Sequence, residues 1–305
     1  VFGNPVHERI QLNDDSLWPN DLGWNHPDGN PEDLKNIRQL LIQGDKKAVD
    51  SLLVKKFSRK NVVRSHQTLG DLFINLNHGI ITEYKRSLRL DEGITSVFYK
   101  SDGYKITQEA FVSAPDQTII ISLKSNHPKG LSGSIQLSRP KDEGVATAKT
   151  FTKKGSLIME GEVTQRKGTF DSKPNPILEG VKFQTIIKAI NKGGKIISTD
   201  KKLELKSVKE LELRVVSNSS FYHQNYKIKN FEQLNNLKEK SFNNLKKNHV
   251  EDHQSLYNRV TLDLKTDNRL QNIPTDKRIE AIKKGGVDIE LQETLFQYGR
   301  YLLIA

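Results

Sequence analysis

The side chains best suited to chemistry near the start of this 305-residue chain lie in one polar loop. Asn13, Asp14 and Asp15 precede Trp18 there. Adjacent carboxylates can accept backbone N–H bonds in local turns, which is the simpler interpretation, and they can also bind Ca²⁺. The functional alternative is a sugar-contacting loop, in which the indole stacks on a pyranose face while Asn13 and an aspartate bond hydroxyls. Neighbours in sequence rarely face each other across a bond, so Asp14 and Asp15 are not predicted to be a glycosidase acid–base pair.

A second group lies in the segment HVEDHQSLYNRV (249–260). His249 and His253 are four residues apart, the helical spacing of a two-histidine metal site. The order HVEDH differs from HExxH, and no third ligand is evident nearby, so we predict neither a metal nor a cofactor. The preferred interpretation is a cluster of acids, Glu251 and Asp252, at the start of a helix and hydrogen-bonded to a domain interface.

The composition and the motifs that the sequence lacks exclude several classes of function. The chain has no cysteine, which excludes disulfides and a cysteine nucleophile within it. It has no GxSxG, P-loop or GxGxxG motif. The formal charge of +11 can attract an acidic partner, but the lysines are scattered rather than interleaved with aromatic residues. We therefore expect solvated lysine-bearing faces, with no nucleic-acid and no membrane partner.

The elements that must position these residues are mainly strands up to about residue 220. Leu72, Ile74 and Leu76 alternate with polar residues, the period of a half-buried strand. Asp102-Gly103 predicts a two-residue hairpin turn, and NKGG (191–194) predicts another hairpin. Around ten such strands without long intervening helices predict a large antiparallel β-sandwich.

Helices are predicted on both sides of this strand-rich region. Asn30 should cap a first helix that ends at Gly44, and Asp45 should cap a second. After residue 218, Asn230 and Thr275 are predicted caps of later helices.

The segment VTLDL (260–264) reads as a lone short strand. Residues 291–305 read as a strongly apolar helix that needs a partner to bury it. We therefore expect the chain to be the N-terminal part of a longer protein.

Three motifs in this last region resemble glycoside hydrolase family 95, the α-L-fucosidase family: HVEDHQSLYNRV (249–260), PTDKR (274–278) and LFQYGRYLLIA (295–305). Three earlier stretches resemble the same family in the same order. Thr68 stands where the family usually has proline, and Arg89 where it often has aspartate. The resemblance is weakest over residues 140–220. The earlier stretches are VFGNPVHERIQLNDDSLWPN (1–20), HQTLGDLFINL (66–76) and YKRSLRLDEGITSVFYKSDGYKITQEAFVSAPDQTIIISL (84–123).

The resemblance implies a mainly β fold in three parts. Residues 1–220 would form a large antiparallel β-sandwich of the super-sandwich type. Residues 221–290 would form an α-helical linker, and residues 291–305 would begin an (α/α)6 catalytic barrel. The implied partners are a fucosylated oligosaccharide or polysaccharide and the chain's own C-terminal catalytic domain. A bacterial periplasmic or secreted location is implied as well.

The implied activity is hydrolysis of terminal, typically α-1,2-linked, L-fucose with inversion. A glutamate acts as the acid, and a water is activated by asparagines together with an aspartate. In the family these groups lie in the barrel, so the catalytic residues are expected after Ala305 and the fragment alone is expected to be inactive. The alternatives are a non-catalytic carbohydrate-binding module with Trp18 or Trp24 as its platform, an α-L-galactosidase, or a family 65-like phosphorylase of the same architecture.

Overall fold

Alternation of apolar and polar side chains builds two antiparallel sheets. The computed structural model describes residues 2–18, 28–58, 66–141, 146–163, 180–266 and 269–305. In the second strand, Leu72 and Ile74 are fully buried and Leu76 is nearly so, as their period of two predicts. The fold is mainly β, and the predicted sandwich is confirmed. The strands described are β1 His7–Leu12, β2 Gly70–Leu76, β3 Ile81–Arg89, β4 Ile94–Ser101, β5 Tyr104–Ser113, β6 Thr118–Ser125, β7 Leu131–Ser138, β8 Ala148–Lys153, β9 Ser156–Glu162, β10 Lys182–Lys192, β11 Lys195–Ser198, β12 Lys202–Val208 and β13 Glu210–Ser219.

The two sheets enclose the main core. The smaller sheet has the order β1-β2-β7-β12-β11, and the larger has the order β3-β4-β5-β6-β13-β10-β9-β8. Inward side chains from both sheets form one apolar cluster, with Ile74 and Ile135 from the smaller sheet and Phe183 and Leu213 from the larger. Burial of such side chains stabilises the fold by about 1.5–3 kcal/mol each.

Helices cover part of the outer face of the larger sheet. Helix α3 (Tyr226–Leu237) and helix α4 (Phe242–Tyr257) lie on it, and a second apolar cluster fills the space between. Phe111 of β5, Val216 of β13 and Leu245 of α4 belong to this cluster. Strands β6, β10 and β13 therefore bury side chains on both faces, which explains the continuous apolar run TIIISL (118–123).

Polar groups fix these helices on the sheet. The buried Arg214 side chain donates to the backbone carbonyl of Leu237 and to that of Lys240, the latter at 2.7 Å, where α3 ends. Asn230, fully buried in the middle of α3, donates from Nδ2 to the backbone carbonyl of Gln184 at 2.7 Å.

An α-helical hairpin separates β1 from β2. Helix α1 (Pro31–Gln43) begins with the predicted Asn30 cap, which forms a capping box with Asp33. It ends at Gly44, whose φ of 80° is the left-handed conformation that closes helices. Helix α2 (Lys46–Phe57) begins with the predicted Asp45 cap, which accepts from Ala48 N.

Two further helices lie at the C-terminal end of the chain. Helix α5 (Thr275–Lys283) and helix α6 (Ile289–Ile304) are joined through buried charges, because Arg278 donates to both carboxylate oxygens of Asp288 at 2.7 Å. Arg300 of α6 donates to the carbonyls of Tyr257 and Val260 at 2.6 and 2.7 Å, where α4 ends. In the part of the chain that the structure describes, no helix is both long and apolar enough to cross a membrane.

Four local predictions are wrong. NKGG (191–194) is not a hairpin turn within one sheet, because β10 belongs to the larger sheet and β11 pairs with β12 in the smaller one. VTLDL (260–264) forms no strand, since no strand pairs with it among the described residues. Asn230 does not cap α3, which begins at Tyr226, and Thr275 makes no capping bond at α5.

Candidate functional site

The loop after β1 is fixed to the far end of β13. Leu17 is fully buried beneath it, and its carbonyl accepts from Gln67 N at 2.9 Å. Asp14 accepts at Oδ1 from Ser16 N at 3.1 Å and from the Ser16 hydroxyl at 2.5 Å. Its Oδ2 accepts from the Ser217 hydroxyl at 3.4 Å. The Asp14 carboxylate therefore organises the loop, as the turn interpretation predicts.

The neighbouring Asp15 is exposed and faces another aromatic side chain. The Tyr222 hydroxyl donates to Asp15 Oδ2 at 3.1 Å, and this hydrogen bond raises the pKa of the Tyr222 phenol. Asn13 is exposed as well. The loop thus presents an amide, a carboxylate and a phenol to solvent, which can accept and donate hydrogen bonds to a hydroxylated ligand.

Exposed aromatic rings border these polar groups. Trp18 is 48% exposed and meets the His66 ring edge-on, with 5.4 Å between centroids. His66 Nε2 donates to the Asp14 carbonyl at 2.7 Å, so the imidazole links the indole to the loop backbone. Phe221 and Tyr222 are 63% and 57% exposed and contact each other edge-on. We call Asn13, Asp14, Asp15, Trp18, His66, Phe221 and Tyr222 the loop site.

The arrangement of the loop site favours binding over catalysis. The Asp14 carboxylate is engaged by Ser16 and Ser217, and the Asp15 carboxylate by Tyr222. A glycosidase needs two carboxyl groups that face each other across a bound sugar, one of them protonated. The loop site can supply an aromatic platform and hydrogen bonds to a ligand. Trp24, the alternative platform, lies outside the described residues.

Several members of the loop site are distant in sequence. His66 follows Trp18 by about fifty residues, and Phe221 and Tyr222 follow Trp18 by about two hundred. The one sequence feature that could have indicated the second half of the loop site is a pair of adjacent aromatic residues, Phe221 and Tyr222. They lie in a polar segment directly after a strand. The sequence does not indicate that this segment contacts the first loop, because only the folding of the sandwich brings the two together.

The two histidines of α4 have a structural role. His249 and His253 lie in the middle of α4 rather than at its start, and both are buried. Their Nε2 atoms donate to the carbonyls of Gly93 at 3.3 Å and Leu90 at 2.8 Å, in the turn between β3 and β4. Glu251 and Asp252 are exposed, so the predicted acidic contact with an interface is wrong and the histidines make that contact.

His249 also stacks on Phe111 with 4.9 Å between ring centroids, and burial lowers its pKa. Among the described residues no group of three histidine, aspartate or glutamate side chains could hold a metal ion.

Two family models match successive parts of the chain. Residues 1–224 match the model described as glycosyl hydrolase family 65, N-terminal domain. Residues 241–305 match the model described as glycosyl hydrolase family 95 catalytic domain.

Two curated relatives align with the whole chain. It is 26% identical to alpha-L-fucosidase 2 of Arabidopsis thaliana over 332 aligned positions, and 26% identical to probable alpha-fucosidase A of Aspergillus niger over 321. The alignment covers 100% of this chain and 39% of each relative, so the chain spans about two fifths of their length.

A solved chain named "Putative kojibiose phosphorylase from human microbiome" superposes with a TM-score of 0.40 at 14% identity. That superposition covers 62% of this chain and 29% of the other. The likeness is too distant to inform on function.

Proposed function

Since this chain belongs to the glycosyl hydrolases with a family 65 N-terminal domain, which matches residues 1–224, and since residues 241–305 match the family 95 catalytic domain, we propose that it is the N-terminal part of an inverting α-L-fucosidase. The substrate would be terminal L-fucose, α-1,2-linked, on a glycan. The protein would act in the periplasm or outside a bacterial cell.

The observation that carries the proposal is the alignment of two α-fucosidase relatives along the entire chain. The order of the two matched domains supports it, because the three motifs at residues 249–305 fall inside the family 95 match.

Within this proposal the chain divides as the sequence predicted. Residues 1–220 act as the sandwich domain, 221–290 as the linker and 291–305 as the first barrel helix. The reacting groups would lie outside residues 1–305, and this part alone would not release fucose. The engaged carboxylates of the loop site support this division of labour.

The loop site would contact the glycan rather than cleave it. Asn13, Asp14, Asp15 and Trp18 are its proposed binding residues, with Asp14 holding the loop in shape. A half-exposed indole beside exposed polar groups is the usual composition of a sugar platform.

The catalytic domain would be the physical partner of α6. Leu295, Leu302 and Leu303 are 68%, 57% and 89% exposed on this helix, beside the half-exposed rings of Phe296 and Tyr298. An apolar face of this kind marks a surface that packs against further protein. The remaining helices of the proposed barrel would cover it.

The first test uses a protein extended to the length of the α-fucosidase relatives. It is incubated with 2′-fucosyllactose, and NMR identifies the released sugar and its first anomer. We expect β-L-fucose, the product of inversion, while residues 1–305 alone release none above a boiled control. Release of α-L-fucose first would contradict the inverting mechanism.

The same assay separates the alternatives. Release from an L-galactosyl analogue but not from 2′-fucosyllactose would identify an α-L-galactosidase. Turnover only with added phosphate would identify a phosphorylase, an alternative favoured by the family 65 match of residues 1–224. Glycan binding without turnover would identify a binding module.

The loop site is tested by Trp18→Ala in the extended protein, with Phe231→Ala as the matched control because both side chains are 48% exposed. We expect Trp18→Ala to raise KM about fivefold with little change in kcat, since a stacking contact made equally in the ground and transition states affects binding alone. An unchanged KM would remove Trp18 from the site.

A further inference from the structure

A groove lies between the larger sheet and the start of α4, on the outer face of the sandwich. Its volume is about 300 Å³. The floor is formed by the ends of β6, β10 and β13, and the wall by the first turn of α4 with Phe242 and Asn243. None of the loop-site residues lines it.

Strand pairing arranges the floor in two rows of side chains. Ser122 pairs with Glu212, and Glu212 pairs with Ile190, which gives the inner row. Lys124, Glu210 and Lys192 form the outer row in the same way. These positions continue the outward-facing series of Ile120, Ile186 and Val216, the side chains that α3 and α4 cover.

The charged groups that line the groove already have ion-pair partners. Glu210 Oε1 lies 2.8 Å from Lys192 Nζ, and Glu210 Oε2 lies 3.9 Å from Lys124 Nζ. Glu212 Oε1 accepts from Arg214 Nε at 2.6 Å. The lysines and glutamates that line the groove therefore cancel one another's charge, so the groove has little net positive charge to attract an anionic ligand.

The polar groups of the groove that have neither a hydrogen-bond nor an ion-pair partner among the described residues are neutral. Ser122 is 8% exposed and lines the groove, and its hydroxyl bonds to none of the side chains or carbonyls in the described ranges. At the start of α4, the N–H of Asn244 is capped by Ser241, whereas those of Phe242 and Asn243 bond to no group among the described residues. The exposed Asn243 amide stands beside them.

We propose that this groove is a second carbohydrate-binding site, which holds one neutral sugar ring of a glycan. A hydroxyl, an amide and free N–H groups beside the Phe242 ring match the alternating hydroxyl and C–H surfaces of a pyranose. The choice of a sugar as ligand rests on the proposed function. The site would hold the glycan on the sandwich, apart from the reacting groups.

The test is an NMR titration of residues 1–305 with 2′-fucosyllactose, lactose and L-fucose as separate probes. We expect saturable shifts in the signals of Ser122, Phe242 and Asn243, with a Kd on the order of 1 mM. Ser122→Leu, which fills the floor, and Asn243→Ala, which removes an exposed amide, should each weaken binding at least about tenfold. Asn236→Ala, an exposed asparagine on α3, is the matched control and should not change the Kd.

The proposed site is wrong if no signal shifts at any attainable sugar concentration, or if the shifts are the same in Ser122→Leu and Asn243→Ala. It is also wrong if the groove binds glucuronate or sulfate in place of the neutral sugars. The readout is independent of hydrolysis. If the groove binds sugar while the extended protein releases no fucose, the groove stands and the proposed activity fails.

Discussion

At the scale of single residues, Gly93 sets how closely α4 approaches the turn between β3 and β4. Its φ is +64°, and a Cβ there would lie 3.2 Å from His249 Nε2 and 3.2 Å from His253 Nδ1. Gly103 has a similar φ of +82°, but a Cβ there would meet nothing within 4 Å. The two glycines therefore share the backbone constraint and differ in the helix contact.

We expect Gly93→Ala to destabilise the protein more than Gly103→Ala. Both variants lose about 1 kcal/mol because alanine resists positive φ. Gly93→Ala must also displace the two histidines, which weakens their bonds to the turn by about 1 kcal/mol more. Urea unfolding of both variants measures the difference, and equal losses would show that the histidine contacts contribute nothing.

His249 makes the stability depend on pH. Burial lowers its pKa, so between that lowered value and the ordinary value of about 6.5 the unfolded chain binds more protons than the folded chain. The free energy of unfolding therefore falls as the pH drops through this window. Burial lowers the pKa of His78 as well, which adds an effect of the same sign.

The expected result is a melting temperature that falls between about pH 7.5 and pH 5, with a shallower fall in His249→Phe. Phenylalanine keeps the stacking on Phe111 and cannot be protonated. Thermal melts at several pH values measure the two slopes. Identical slopes would assign the pH dependence to other groups.

At the scale of elements, buried charge joins α5 to α6. Arg278 bonds both oxygens of Asp288 at 2.7 Å and Glu290 Oε2 at 3.3 Å, and Asp288 also caps α6 through Leu291 N at 2.8 Å. The hydrogen bonds from Arg278 lower the pKa of Asp288. One guanidinium thus fixes the start of α6 against α5.

Arg278→Met should therefore loosen α6 selectively. It leaves two carboxylates without a cation, at a cost of about 2–3 kcal/mol. Lys277→Met is the control, because its ion pair with Glu280 is exposed and contributes little. Amide hydrogen exchange should rise in α5 and α6 of Arg278→Met alone. Equal exchange in both variants would contradict the role of this bridge.

At the scale of the whole molecule, the most exposed apolar side chains among the described helical residues lie on α6 and α1. Leu303 and Leu295 on α6 are 89% and 68% exposed, and Ile42 on α1 is 87% exposed. The buried residues of the main core are at most 5% exposed, and none of them lies on α1 or α6.

We expect residues 1–305 to self-associate through α6. The double variant with Leu295→Lys and Leu303→Glu should stay monomeric at concentrations where the unchanged chain associates. Association through α6 would remove the two new charges from water, which is unfavourable. Ile42→Lys on α1 is the control. Sedimentation velocity measures the association, and equal association of all three proteins would exclude the α6 face.

The sequence predicts strands, turns and helix caps correctly wherever contacts between residues a few positions apart determine them. The period of Leu72, Ile74 and Leu76, the Asp102-Gly103 turn and the caps at Asn30 and Asp45 depend on contacts within a few residues. The motifs at residues 249–305 pointed to family 95, and the family 95 catalytic-domain model matches residues 241–305, whereas residues 1–224 match the family 65 N-terminal domain.

Tertiary structure alone decided which distant groups meet. It assigned β11 to the opposite sheet from β10, placed Asn230 inside α3 against β10 instead of at the start of the helix, and turned His249 and His253 onto the turn between β3 and β4. It also joined Asp15 to Tyr222 in the loop site and opened the groove beside Phe242. The physical reason is that these contacts join residues about ten to two hundred positions apart, and only the closing of two sheets and the docking of helices brings them within hydrogen-bond distance.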